Sequence, residues 1–121
     1  MQEKLLTDTE INYKEIKEKM TEAAKSAGRD PEDIRLMAVT KTVAPEKINI
    51  AINLGCDLLG ENRVQEFLEK YESYDKNAEV HFIGSLQTNK VKYIVDKVSM
   101  IESVDSIKLA EEIEKRCEKI D

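Results

Sequence analysis

The sequence predicts an α/β fold of four parallel strand–helix units behind an N-terminal helix. Short apolar runs alternate with stripes of 3.6-residue period. The runs begin near positions 35, 58, 80 and 98, a repeat of about twenty residues that suits strand–helix units. No Asn-Gly or Asp-Gly lies between neighbouring runs, so the connections read as right-handed crossovers rather than hairpins.

The first helix is expected from about Asp8 to Ala27, where Ile16, Met20, Ala23, Ala24 and Ala27 make one stripe and Gly28 supplies the left-handed residue that ends it. A polar turn with Pro31 follows. Residues 34–39 (Ile-Arg-Leu-Met-Ala-Val) form the first strand, apolar enough to be covered on both faces. Pro45 suits the first turn of a helix carrying Ile48, Ala51 and Ile52, closed by Gly55. Leu58-Leu59 is the second strand, ended by Gly60. Val64, Phe67, Leu68 and Tyr71 mark the second helix of the repeat. Val80 to Ile83 is the third strand, Val91, Ile94 and Val95 the third helical stripe, and Val98 to Ile101 the fourth strand. Ser106 caps a last helix with Ile107, Ala110, Ile113, Cys117 and Ile120. Four such units fit a small open sheet or half of an eight-unit barrel, and composition does not choose between them. The chain stops inside its last helix at Asp121 with no cap signal, as a cut chain would.

The 121 residues suit one domain. A net charge of −6, from 19 basic and 25 acidic residues, offers no basic field for nucleic acid or an anionic membrane. Met1-Gln2-Glu3-Lys4 leads into no apolar signal region, and no long apolar span follows. A cytoplasmic protein is expected. Cys56 and Cys117 lack metal-type spacing and the chain has one histidine, so reduced, partly buried thiols are expected and metal is set aside.

Parallel α/β sheets bind ligands at the carboxyl ends of their strands. Lys41 directly follows the first strand, so its amine is expected at that rim and partly desolvated, which favours the neutral form that attacks a carbonyl carbon. The plain alternative is a solvated loop lysine. Asn62 follows the glycine that ends the second strand and can offer a donor and an acceptor to the same cleft, or, with Glu61, cap the next helix. Gly84-Ser85 is a weak anion site. His81, inside a strand, reads as a satisfied core or rim residue. A Schiff-base enzyme of lyase or racemase type would need an acid/base partner beside the amine, and no residue at these ends makes a specific claim to be one.

At these same segments the sequence resembles the pyridoxal phosphate (PLP) homeostasis proteins, relatives of the N-terminal barrel of alanine racemase. The matching stretches are 36–42 (Leu-Met-Ala-Val-Thr-Lys-Thr), 60–66 (Gly-Glu-Asn-Arg-Val-Gln-Glu), 81–90 (His-Phe-Ile-Gly-Ser-Leu-Gln-Thr-Asn-Lys) and 103–106 (Ser-Val-Asp-Ser). The resemblance implies that residues 1–121 are a single, incomplete PLP-binding barrel domain, the N-terminal half of a (β/α)8 TIM-type barrel. It implies pyridoxal 5'-phosphate held as a Schiff base on Lys41, with Asn62 near the cofactor. It implies PLP homeostasis without a turnover reaction; racemase activity is not expected without the racemase's second domain. The family's phosphate is held by loops from the other half of the barrel, in keeping with the usual position after strands seven and eight. A half barrel leaves sheet edges open, so self-association or pairing with a missing C-terminal half is expected, or a half chain without independent activity.

Overall fold

The computed structural model describes residues 2–120, with side chains from residue 8 onward; Met1 and the chain end at Asp121 lie outside the described residues. Helix α1 (Gln2–Ser26) precedes the sheet. Strand β1 (Ala38–Val39) is followed by α2 (Pro45–Asn53), β2 (Leu58–Glu61), α3 (Val64–Tyr71), β3 (Glu79–Phe82), β4 (Met100–Ile101) and α4 (Ile107–Ile120). The strands form one parallel sheet in the order β1-β2-β3-β4.

The helix ends follow local chemistry. Gly28 (φ 74) and Gly55 (φ 110) take the left-handed conformation after α1 and α2. In each case a backbone N–H reaches back five residues, Arg29 to Ala24 O at 2.8 Å and Cys56 to Ala51 O at 3.0 Å, which satisfies carbonyls the helix leaves unpaired. Pro45 opens α2 without a side-chain cap. Ser106 Oγ accepts from the Leu109 N–H at 3.1 Å and caps α4 as expected.

Three expectations need correction. Residues 34–39 pair only over Ala38–Val39, because β1 has β2 as its one neighbour and β2 begins at Leu58. The stripe Val91, Ile94, Val95 lies not on an α-helix but on a 3-10 helix over Thr88–Tyr93 and the residues just after it. Val91 and Ile94 are both fully buried; a spacing of three stacks side chains on one side of a 3-10 helix, so over so short a segment the apolar pattern fits either helix. The α1 stripe buries only Ala24 of its predicted members, and Ile16 is 52% exposed, since α1 packs on α2 and the 31–33 turn at one flank of the sheet.

One cluster holds the fold. Ile48, Ala51 and Ile52 of α2, Phe67 of α3, Val91 of the 3-10 helix and Leu109 of α4 all pack with Leu59, Val80 and Phe82 of the central strands. Every helix after β1 therefore feeds the same face of the sheet. Burying each of these large side chains is worth about 1.5–3 kcal/mol. Side chains alternate along a strand, and the register places Val39, Gly60, His81 and Met100 in one row on the opposite face. Val39 and Met100 are each 50% exposed there.

Cys56 is buried, Cys117 half-buried, and neither is in a disulfide. Among the described residues no helix is long and apolar enough to cross a membrane, and no group of His, Cys, Asp and Glu is placed to hold a metal ion.

Candidate functional site

All four strands point the same way, so Lys41, Asn62, Ser85 and Ser103 gather at the carboxyl edge of the sheet. The Thr40 N–H continues the ladder to Gly60 O at 3.0 Å, and the Val43 N–H closes a turn onto Thr40 O at 3.1 Å. Lys41 and Thr42 are the central residues of that turn. Thr42 has φ 60, a conformation that costs an L-residue with a Cβ about 1–2 kcal/mol. Lys41 thus stands at the rim, as expected, but it is exposed. The expected desolvation of its amine is not provided by the described residues, which leave both Lys41 and Thr42 exposed on the bend.

Beneath the turn lies a polar network that sequence reasoning missed. Glu61, expected as a possible helix cap, is the last residue of β2 and fully buried; α3 starts at Val64, and Arg63 before it makes no side-chain cap. Leu59 and Glu61 share the helix-covered face, so a carboxylate occupies a core position. Its Oε2 accepts from Thr40 Oγ1 at 2.5 Å and from the Tyr74 hydroxyl, and Lys70 Nζ lies 3.2 Å away. Lys70, also buried, donates to Thr40 O at 2.8 Å, Val43 O at 3.3 Å and Glu66 Oε2 at 3.4 Å. Glu66 Oε2 in turn accepts from the Thr42 N–H at 2.5 Å. The turn bearing Lys41 is thereby tied at Thr40, Thr42 and Val43. Burial, reinforced by the bond to Glu61, holds the Tyr74 phenol proton well above its ordinary range. A buried ion pair is weak evidence of stability, but removing one partner strands the other and costs about 3–5 kcal/mol. Part of the signal was present in the sequence: Phe67 and Lys70 are three apart on α3, and a lysine on the apolar side of a helix is rarely buried unless paired.

Asn62 meets the neighbouring strand end closely. A Cβ on Gly84 would stand 2.2 Å from Asn62 O, so the close contact with Asn62 requires glycine there. Asn62 Oδ1 is buried without a hydrogen-bond partner. A cleft of about 680 Å³ opens between α3 and the 3-10 helix, lined by Asn62, Arg63, Ser85, Lys90 and Tyr93 among others; Lys41 does not line it. Ser103 Oγ donates to Gly84 O and links the third and fourth strand ends. His81 is buried on the open face, but it is not satisfied as expected: its Nδ1 lacks a hydrogen-bond partner, with Glu102 and Glu79 each 3.8 Å from a ring nitrogen.

The strand-end rim therefore carries an amine, a hydrogen-bonded turn that bears it and an orphaned amide oxygen just past the end of the next strand. An amine of this kind condenses with aldehydes, and the orphaned acceptor fits a ligand that donates a hydrogen bond. These features fit the aldehyde end of PLP.

Comparison with known proteins points the same way. No family model matches the chain. It is 50% identical over 102 residues to the pyridoxal phosphate homeostasis protein of Aquifex aeolicus, an alignment covering 84% of this chain and 45% of that protein. It is 34% identical over 109 residues to the protein of that name from Escherichia coli K12, covering 87% and 47% respectively. Among solved structures, an unknown protein from Bifidobacterium adolescentis superposes with a TM-score of 0.88 at 32% identity, over 95% of this chain and 51% of that one. PipY of Synechococcus elongatus PCC7942, solved with PLP bound, superposes with a TM-score of 0.70 at 31% identity, over 84% of this chain and 49% of PipY. The chain spans about half the length of the relatives it matches. The resemblance carried by the four strand-end motifs is thus to the proteins that whole-chain similarity finds.

Proposed function

We propose that this chain is the lysine-bearing part of a pyridoxal phosphate homeostasis protein, holding the cofactor as a Schiff base on Lys41 without a turnover reaction. The observation that carries the reading is Lys41 at the carboxyl end of β1, in a chain that superposes on PLP-bound PipY. The cofactor supplies an aldehyde whose condensation with an amine releases water. The chain's own part is to hold the Lys41 turn through Thr40, Thr42 and Val43, and to offer Asn62 Oδ1 as a buried acceptor just past the end of the neighbouring strand.

The finer fold reading is that residues 1–121 form one incomplete domain, half of a (β/α)8 barrel. Sequential strand order supports it. Doubly wound open sheets reverse order at a switch point, whereas β1-β2-β3-β4 with every following helix on one face is the arrangement of successive barrel units. In this reading the phosphate contacts come from the part of the relatives' length that this chain does not span, and self-association or pairing with that part would complete the barrel.

The test is incubation with PLP, borohydride reduction and peptide mapping. Lys41 is expected to carry the adduct in preference to other exposed lysines, and Lys41→Ala to lose it with unchanged thermal stability. An adduct spread evenly over surface lysines sinks the reading. Adducts at Lys41 from simple keto acids but not from PLP would instead favour a Schiff-base enzyme.

A further inference from the structure

Thr42 lies at φ 60, where a β-branched residue stays only if its surroundings hold it. The hold is Glu66: its Oε2 accepts from the Thr42 N–H at 2.5 Å. Glu66 is itself placed by Lys70, 3.4 Å away and one helical turn on, and Lys70 donates to the carbonyls of Thr40 and Val43 on either side of the lysine turn. We propose that Glu66 is a positioning residue for Lys41: by gripping the Thr42 N–H it keeps the 40–43 turn in its left-handed form, and so sets the lysine amine at the strand end for condensation with an aldehyde.

The proposal rests on the PLP reading for its ligand but not for its geometry. Glutamine at 66 keeps an oxygen that accepts from Thr42, whereas alanine releases it. Glycine at 42 adopts positive φ unaided, so it should make the grip unnecessary. A role of Glu66 confined to general packing would not be relieved by a change in the lysine turn.

The full chain and its variants E66A, E66Q and E66A/T42G are treated with PLP, reduced with borohydride and mapped. Adduct at Lys41 is read against adduct at exposed Lys92 in the same digest, and Thr42 amide exchange is followed without cofactor. E66A is expected to lower the Lys41 to Lys92 ratio about tenfold, the scale of a lost hydrogen bond to a charged group, and to speed Thr42 exchange. E66Q is expected to keep both near wild type, and E66A/T42G to regain most of the ratio. An unchanged ratio in E66A, or a loss that T42G does not recover, overturns the proposal. If wild type itself shows no preference for Lys41, the PLP reading fails separately and Thr42 exchange decides: faster in E66A supports the grip, unchanged overturns it.

Discussion

The two faces of the sheet differ in how completely this chain covers them. On one, Leu59, Val80 and Phe82 meet side chains from three helices and a 3-10 helix, and a charged cluster is sealed beneath the Lys41 turn. On the other, Val39 and Met100 lie half in solvent, and Gly60 is covered by the Met37 side chain. The covered face explains why the molecule folds. The open face and the rim above it leave an exposed amine, an orphaned amide oxygen and a histidine without a hydrogen bond at Nδ1. Within the strands the pleat separates the two environments: alternate residues of the same strand face the helices or the open side.

Substitutions on the two faces should break apart in size. Phe82→Ala, at a fully buried position, is expected to cost about 3–5 kcal/mol in chemical denaturation. A loss of less than about 1 kcal/mol, close to what surface substitutions show, would mean that the cluster relaxes around the gap. Gly84→Ala drives a Cβ against the backbone of Asn62 and is expected to cost about 1–3 kcal/mol, in the range of overpacking, with a shift of the Asn62 side-chain amide resonance. An unmoved resonance would show the two strand ends to be uncoupled.

Tyr74 sharpens the comparison through pH. Its phenol pKa is raised in the fold above the ordinary 10.0, first by burial and then by Glu61. The unfolded chain therefore gives up this proton first, and the associated stability, full below pH 10.0, declines as pH rises beyond that value. The stability gap between wild type and Tyr74→Phe should narrow above pH 10.0 and stay level below it. A gap constant across both ranges would contradict a sealed phenol. The smallest effect is expected on the open face, where Met100→Ser should change stability by no more than about 0.5 kcal/mol, as exposed sites do. A large loss would mean that this face is covered in solution, by a second copy for example.

Much of this was legible in the residues. The helix ends at Gly28, Gly55 and Ser106 rest on interactions within a few residues of each position, so they could be read directly. The position of Lys41 at a strand end followed from the run before it. What misled was burial. Lys41 was expected to be poorly hydrated and is exposed, while Glu61, given only as a possible cap, is fully buried. Both depend on what packs over a residue from a distant segment, which one strand's pattern does not contain.

By itself the sequence determined the parallel α/β class, the alternation of strands and helices, and which segments lie at the strand ends, because hydrophobic period and turn residues act locally. Only the tertiary structure decided the strand order, the 3-10 form of residues 88–93 and the partners of Glu61. The physical reason is desolvation. A buried carboxylate must find its donors wherever the fold brings them, and here they come from Thr40, Lys70 and Tyr74, on three different segments.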